Sequence, residues 1–118
     1  MNNILLVEDE ISLKQGLEFL LQAAGYHIVS AIDAEQAIQK MNEREFDLII
    51  TDLVLPKGDG RTVINTVRKK IPTIPIICMT AYIDNDIARE VKPMVGENLL
   101  EKPVELNQLL NTIKSLLR

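Results

Sequence analysis

The sequence of 118 residues predicts a single α/β domain, in which a parallel β-sheet carries helices on both faces. Three observations lead to this prediction. Short apolar runs lack the alternation of apolar and polar residues, the segments between them repeat apolar residues at helical spacing, and the two kinds of segment alternate five times. Such βα alternation gives one parallel sheet with right-handed crossover connections.

The predicted strands are the short apolar runs, of which four are clear and the fifth is weaker. They occupy residues 4–7, 26–29, 46–50, 74–79 and 98–101. Runs without polar alternation are typical of parallel strands that are buried on both faces. The predicted sheet is therefore covered by helices on both sides.

The first two helices are marked by apolar spacing and by capping residues. The first helix carries apolar residues at Leu13, Leu17, Leu20, Leu21 and Ala24, and Gly25 is its stop signal. The second helix follows Asp33, an N-cap type of residue, and Gln36 three positions later gives a pattern that resembles a capping box.

The other three helices are predicted from their apolar faces and from proline. The third carries Val63, Ile64 and Val67, Asp59 or Gly60 would cap its start, and Pro72 marks its end. The fourth is expected to open near Asp84 and to end before Pro93, since proline inside a helix removes a backbone donor. The fifth has the clearest apolar face, at Leu106, Leu109, Leu110, Ile113, Leu116 and Leu117.

Composition excludes several functional classes. The net charge of −4 and pI of about 5.0 argue against sequence-independent binding of nucleic acid, which needs a basic patch. No apolar run approaches the roughly 20 residues that span a membrane, and the N-terminus has no signal-peptide pattern. The single Cys78 cannot form an intramolecular disulfide. We therefore expect a reduced, cytoplasmic protein.

Polar residues follow the predicted strands where each strand ends. Glu8 and Asp9 follow the first strand, Asp52 the third, Thr80 ends the fourth, and Lys102 follows the fifth. The carboxyl ends of parallel strands lie at one edge of the sheet, where sites of open α/β sheets occur. Converging carboxylates repel one another unless a cation joins them, and hard oxygen ligands without His or Cys indicate Mg²⁺. Of these carboxylates, Asp52 is the best candidate for a nucleophile toward phosphorus.

Four motifs, in this order, resemble the receiver domain of bacterial two-component response regulators. They are LLVEDE, LIITDLVLPKGDG, PIICMTA and LLEKP, and the likeness extends over the whole chain, residues 1–118. The likeness includes the chemotaxis regulator, a member of that family. The resemblance implies a flavodoxin-like, doubly wound (βα)5 fold with strand order 2-1-3-4-5. It also implies a protein that catalyses only its own phosphotransfer and dephosphorylation and is not otherwise an enzyme.

The resemblance also implies a role for each site residue. Asp52 would be the phosphoacceptor, Thr80 would bond the phosphoryl group, and Lys102 would pair with it. Mg²⁺ would be held by Asp52 with three further groups, which are the Asp9 carboxylate, the Val54 backbone carbonyl and, through water, the Glu8 carboxylate. The Lys102–Pro103 bond is commonly cis in the family.

The partners implied are a sensor histidine kinase or phosphotransfer protein as phosphodonor, and an output domain or protein. The output is expected to bind the face formed by helix 4, strand 5 and helix 5. No direct contact with nucleic acid and no membrane association are expected of this domain.

Three positions depart from the family pattern or qualify it. Leu99 stands where the family usually carries an aromatic residue that moves with the Thr, so the output relay is altered. Val54 and Tyr82 frame the site, and neither positions water as a carboxylate or amide could, which predicts a long-lived phosphate on Asp52.

Other functions stay open at this point. An aspartate-nucleophile phosphatase of the haloacid dehalogenase type would need a second acid at position 54, where the chain has Val54. A pseudo-receiver that acts only as a binding module would not be phosphorylated. The acids could also simply cap the first helix, Thr80 could be a strand end without a role, and Lys102 a solvated charge.

Overall fold

The computed structural model describes residues 2–56, 60–81 and 86–117. Within these residues, five strands and five α-helices alternate, as the sequence predicts. They are β1 (Asn3–Val7), α1 (Ile11–Ala23), β2 (His27–Ala31), α2 (Ala34–Glu43), β3 (Leu48–Asp52), α3 (Gly60–Lys70), β4 (Ile76–Thr80), α4 (Asp86–Val95), β5 (Leu99–Glu101) and α5 (Leu106–Leu116).

The strands form one parallel sheet in the order β2-β1-β3-β4-β5. This confirms the predicted fold and strand order. The chain leaves β1 toward β2 on one side and returns to β3 on the other, so the order reverses at β1 and β3. Ligand sites of open α/β sheets lie at such a reversal.

Two apolar cores pack on opposite faces of the sheet, because successive side chains of a strand point to opposite faces. In β1, Leu5 and Val7 belong to the core beneath α2, α3 and α4, and Ile4 and Leu6 to the core beneath α1 and α5. All five residues of both β3 and β4 are buried. This double coverage explains why these strands are apolar throughout.

The predicted capping pattern at α2 is confirmed, with one difference in detail. Asp33 Oδ1 accepts a hydrogen bond of 2.8 Å from the Gln36 N–H, and the Gln36 side chain reaches back as well. Its acceptor Oε1 binds the N–H of Ile32, one residue before the cap, at 3.0 Å. The start of α2 is therefore specified by local sequence.

The prediction that the fourth helix ends before Pro93 is wrong, because α4 continues through Pro93 to Val95. Proline removes the hydrogen bond to the carbonyl four residues earlier, which belongs to the exposed residue Arg89. Water can satisfy that carbonyl, while the continued helix buries Val95 in the core. The predicted start near Asp84 lies outside the described residues.

Strand boundaries differ from the predicted ones by up to two residues. The largest consequence is at β3, where Asp52 is the last residue of the strand and does not follow it. Within the described residues, no helix is both long enough and apolar enough to cross a bilayer.

Candidate phosphorylation site

Strand register aligns the polar residues that the sequence places at strand ends. Val7 pairs with Thr51, so Glu8 lies beside Asp52 at the ends of β1 and β3. Asp52 in turn pairs with Met79, the residue before Thr80. On the outer side Thr80 pairs with Glu101, and the Lys102 N–H donates a 2.7 Å hydrogen bond to the Thr80 carbonyl. The four strand ends thus form one continuous edge.

The Lys102 ammonium joins the two buried carboxylates at this edge. Its Nζ lies 2.7 Å from Asp52 Oδ2 and 2.8 Å from Glu8 Oε1. Glu8 is 1% exposed and Asp52 6%, so each needs a partner of opposite charge to be buried at low cost. Because it contacts both carboxylates, Lys102 is not a solvated charge. The following Lys102–Pro103 peptide bond is cis.

Asp52 is held at both carboxylate oxygens. Oδ2 accepts from Lys102, and Oδ1 accepts a 3.2 Å hydrogen bond from the Val54 N–H. Its own backbone carbonyl accepts from the Thr51 hydroxyl at 2.9 Å, and the next N–H, of Leu53, donates to Met79 in β4 at 2.9 Å. The carboxylate and the loop behind it are therefore held by both side-chain and backbone hydrogen bonds.

Glu8 is the more deeply buried of the two acids. Burial raises its pKa, and the negative charge of Asp52 adds to the increase, whereas hydrogen bonds from Lys102 and from the Glu10 N–H act in the opposite direction. Its Oε2 accepts from the Glu10 N–H at 3.0 Å. Both oxygens of Glu8 are therefore engaged within the protein.

The contact with Lys102 acts to lower the pKa of Glu8, whereas the contacts with the two carboxylates raise the pKa of Lys102. Burial alone would lower its pKa, but hydrogen bonds to Asp52 and Glu8, together with their negative charge, outweigh burial, and the pKa is raised. The ammonium form is therefore the stable one, and the site carries a fixed positive charge beside two carboxylates.

Three carboxylates at this edge fit a divalent cation. Glu8, Asp9 and Asp52 each offer an oxygen, and these oxygens all lie within 4.8 Å of one another. Asp9 is exposed, unlike the other two, so one ligand can be reached from solvent. Hard oxygen donors of this kind suit Mg²⁺ better than zinc.

The other predicted residues have distinct environments. Thr80 is fully buried at the end of β4, whereas the Val54 side chain is 52% exposed beside Asp52. Tyr82 and the turn residue Asp59 lie outside the described residues. Cys78 in β4 is a fully buried core residue, and this burial, together with the charge of Asp52, raises the pKa of its thiol to about 12.

A groove of about 620 Å³ adjoins the site between the start of α1, the end of β4 and the segment after β5. Its walls are mainly apolar and include Leu13, Leu17, Met79 and Val104. Its charged lining residues are Lys102 and Glu10, whereas Glu8, Asp9 and Asp52 do not line it. The groove therefore borders the site and does not contain its carboxylates.

Comparison with known proteins decides the family. The sequence profile of the response regulator receiver domain matches residues 4–114. The chain belongs to this family. It is therefore a receiver domain of the kind found in two-component response regulators, and the predicted resemblance is confirmed.

Several relatives and solved structures resemble this receiver domain. It is 34% identical to the sensor kinase CckA of Brucella abortus over 97% of this chain, and 29% identical to the response regulator RR06 of Streptococcus pneumoniae over 98%. The receiver domain spans 12% of the first relative and 53% of the second. The response regulator TrrA of Thermotoga maritima, solved in complex with Mg²⁺-BeF, aligns with a TM-score of 0.86 and 32% identity over 99% of this chain and 100% of that one.

One feature of the site was assigned only a structural role from sequence. Gly60, the first residue of α3, packs directly against the backbone of Asp52 and Leu53. Gly in the turn after a strand is common, and sequence carries no signal for which backbone it will touch.

Proposed function

We propose that this receiver domain accepts a phosphoryl group on Asp52 from a phosphohistidine of a partner protein. The observation that carries the proposal is the Lys102 ammonium, which lies within hydrogen-bond distance of Asp52 and Glu8 at the ends of three different strands. A purely structural ion pair needs one cation and one carboxylate, whereas Lys102 contacts two carboxylates. A third carboxylate, Asp9, lies beside Glu8 and Asp52, which supports a site that receives a cation and a phosphate.

The transfer is an in-line displacement at phosphorus. A carboxylate oxygen of Asp52 forms the new P–O bond, and the P–N bond of the donor breaks, with its electron pair returning to the imidazole. The product is an acyl phosphate. Lys102 then pairs with the phosphoryl oxygens as a point charge and offsets part of the roughly −1.5 to −2 charge that phosphorylation adds.

The oxygen donors described above support Mg²⁺ as the bound cation. Asp9 and Asp52 would hold it directly, together with the Val54 carbonyl, while Glu8, whose oxygens accept from Lys102 and Glu10, would act through water. When bound, the ion would offset negative charge on the transferred group and orient it. The Mg²⁺-BeF complex of the related TrrA supports this assignment.

Thr80 is the proposed reporter of phosphorylation. It is fully buried at the end of β4, and we expect its hydroxyl to bond the phosphoryl group after a rearrangement of this strand end. That rearrangement would bias an equilibrium between two conformations. Near-complete switching needs about 5.5 kcal/mol of differential stabilisation.

The proposed phosphodonor is a sensor histidine kinase or a phosphotransfer protein in the cytoplasm, and the whole chain, residues 1–118, acts as one receiver domain. The face of α4, β5 and α5 is the proposed surface for the output partner. Relatives of both kinds, a sensor kinase and a response regulator, support a place in two-component signalling.

Labelling with acetyl phosphate in Mg²⁺ tests the proposal. The wild-type chain should gain one phosphate, and Asp52→Asn should gain none. Asp86→Asn, which changes an almost fully exposed side chain at the start of α4, is the control and should label as wild type. Retained labelling of Asp52→Asn would contradict the assignment, and a wild-type chain that neither labels nor binds Mg²⁺ would identify a pseudo-receiver.

A further inference from the structure

Gly60 makes a backbone contact at the site that no other residue type can make. A Cβ built on Gly60 would lie 2.6 Å from the Asp52 carbonyl oxygen and 2.8 Å from Leu53 Cα. It would also lie 3.1 Å from the Leu53 carbonyl oxygen. Real Cβ contacts essentially never fall below 3.0 Å, and these neighbours are backbone atoms, which cannot rotate away.

The requirement is for space and not for an unusual backbone conformation. Only Gly25 and Gly96 have positive φ among the described glycines, so the dihedral angles of Gly60 suit any residue. Gly60 is also tied to the same segment by its N–H, which donates a 2.8 Å hydrogen bond to the Leu53 carbonyl. The start of α3 therefore packs against the peptide that follows Asp52.

The peptide under Gly60 leads directly to two groups of the site. It begins at Asp52, and the residue after Leu53 is Val54, whose N–H binds Asp52 Oδ1. A side chain at position 60 would push this peptide away from α3. Both the carboxylate and the Val54 carbonyl, a proposed ligand of Mg²⁺, would then move.

We propose that Gly60 is a positioning residue for phosphotransfer, which sets the place of Asp52 and of the Val54 carbonyl through close contact between α3 and the end of β3. The inference rests on the proposed function, because it concerns the same cation site. It goes further by assigning a specific task to a residue that touches neither the phosphoryl group nor the metal.

Gly60→Ala tests the proposal against two matched controls. Gly16→Ala adds the same methyl group in α1, where nothing lies within 4 Å of the new atom. Val67→Ala removes fully buried atoms about two helical turns from Gly60, and so destabilises the same helix without adding an atom at position 60. Each chain is titrated with Mg²⁺, followed by amide chemical shifts, and unfolded with urea in the absence of metal.

We expect Mg²⁺ to bind Gly60→Ala about 10- to 100-fold more weakly, as is typical when support behind metal ligands is lost. Both controls should keep the wild-type affinity, including Val67→Ala, which should lose stability. In metal-free Gly60→Ala, exchange of the Val54 amide should also accelerate, because its hydrogen bond to Asp52 would be lost.

The possible failures are distinguishable. If wild type binds Mg²⁺ and Gly60→Ala binds it equally well, the inference is overturned and the proposed function stands. If Gly60→Ala does not fold even in the cold, or weakens binding only as much as an equally destabilised Val67→Ala, the glycine serves the fold alone. If wild type does not bind Mg²⁺, the proposed function fails and this inference fails with it.

Discussion

Lys102 Nζ lies 2.7 Å from Asp52 Oδ2, although the two residues are 50 positions apart in the chain. The contact joins the ends of β3 and β5, which are not neighbours in the sheet. The same ammonium reaches Glu8 at the end of β1. One cation thus connects three strand ends.

Replacing Lys102 by methionine keeps much of the apolar stem and removes the charge. We expect the rate of labelling by acetyl phosphate to fall about 100-fold, since a fixed cation that stabilises developing charge typically contributes this much. Lys114→Met, in the exposed part of α5, is the control and should label at the wild-type rate. A Lys102→Met chain with wild-type labelling would show that Lys102 is only structural.

The raised pKa of Lys102 predicts a loss of stability in alkaline solution. The unfolded chain has the ordinary lysine pKa of about 10.4, so the contribution of the ion pairs is fully present below that pH. It is lost as pH rises through the higher pKa of the folded state. The difference in urea midpoint between wild type and Lys102→Met should therefore shrink above about pH 10.4. A difference that stays constant with pH would contradict this.

Val54→Asn should shorten the lifetime of the phosphate on Asp52. The Val54 side chain is 52% exposed beside Asp52 and offers no polar atom to hold an attacking water. An amide there can position water, and we expect loss on the order of 10-fold faster, below the 10²–10⁴ of a general base. Loss of phosphate in Mg²⁺ measures this. Ile32→Asn, an exposed residue after β2, is the control, and an unchanged rate in Val54→Asn would refute the prediction.

Leu99→Tyr should restore the usual family aromatic at a cost in stability. Leu99 is 8% exposed and packs in the core beneath α4, so a larger ring overfills the site. We expect the free energy of unfolding to fall by about 1–3 kcal/mol in urea titrations, with labelling of Asp52 unchanged. Leu20→Tyr, at a position 39% exposed on α1, should be close to neutral. If Leu99→Tyr is as stable as wild type, the position has room for an aromatic ring.

The sequence by itself determined the order of the elements and the identity of the charged residues at the strand ends. Apolar runs identify the strands because both faces of a parallel sheet are buried. Local hydrogen bonds determine the cap at Asp33, so it could be predicted within a few residues of sequence. Glu8, Asp52, Thr80 and Lys102 could be assigned to one edge because all parallel strands end there.

Only the tertiary structure decided which of these groups touch. That Lys102 binds Glu8 as well as Asp52, and that both oxygens of Glu8 are engaged, depends on register and burial across three strands. The path of α4 through Pro93 was decided in the same way, because the continued helix buries Val95 at the expense of one backbone hydrogen bond. The close contact between Gly60 and the backbone of Asp52 depends on how near α3 comes to the end of β3. No local sequence pattern encodes the distance between these two elements.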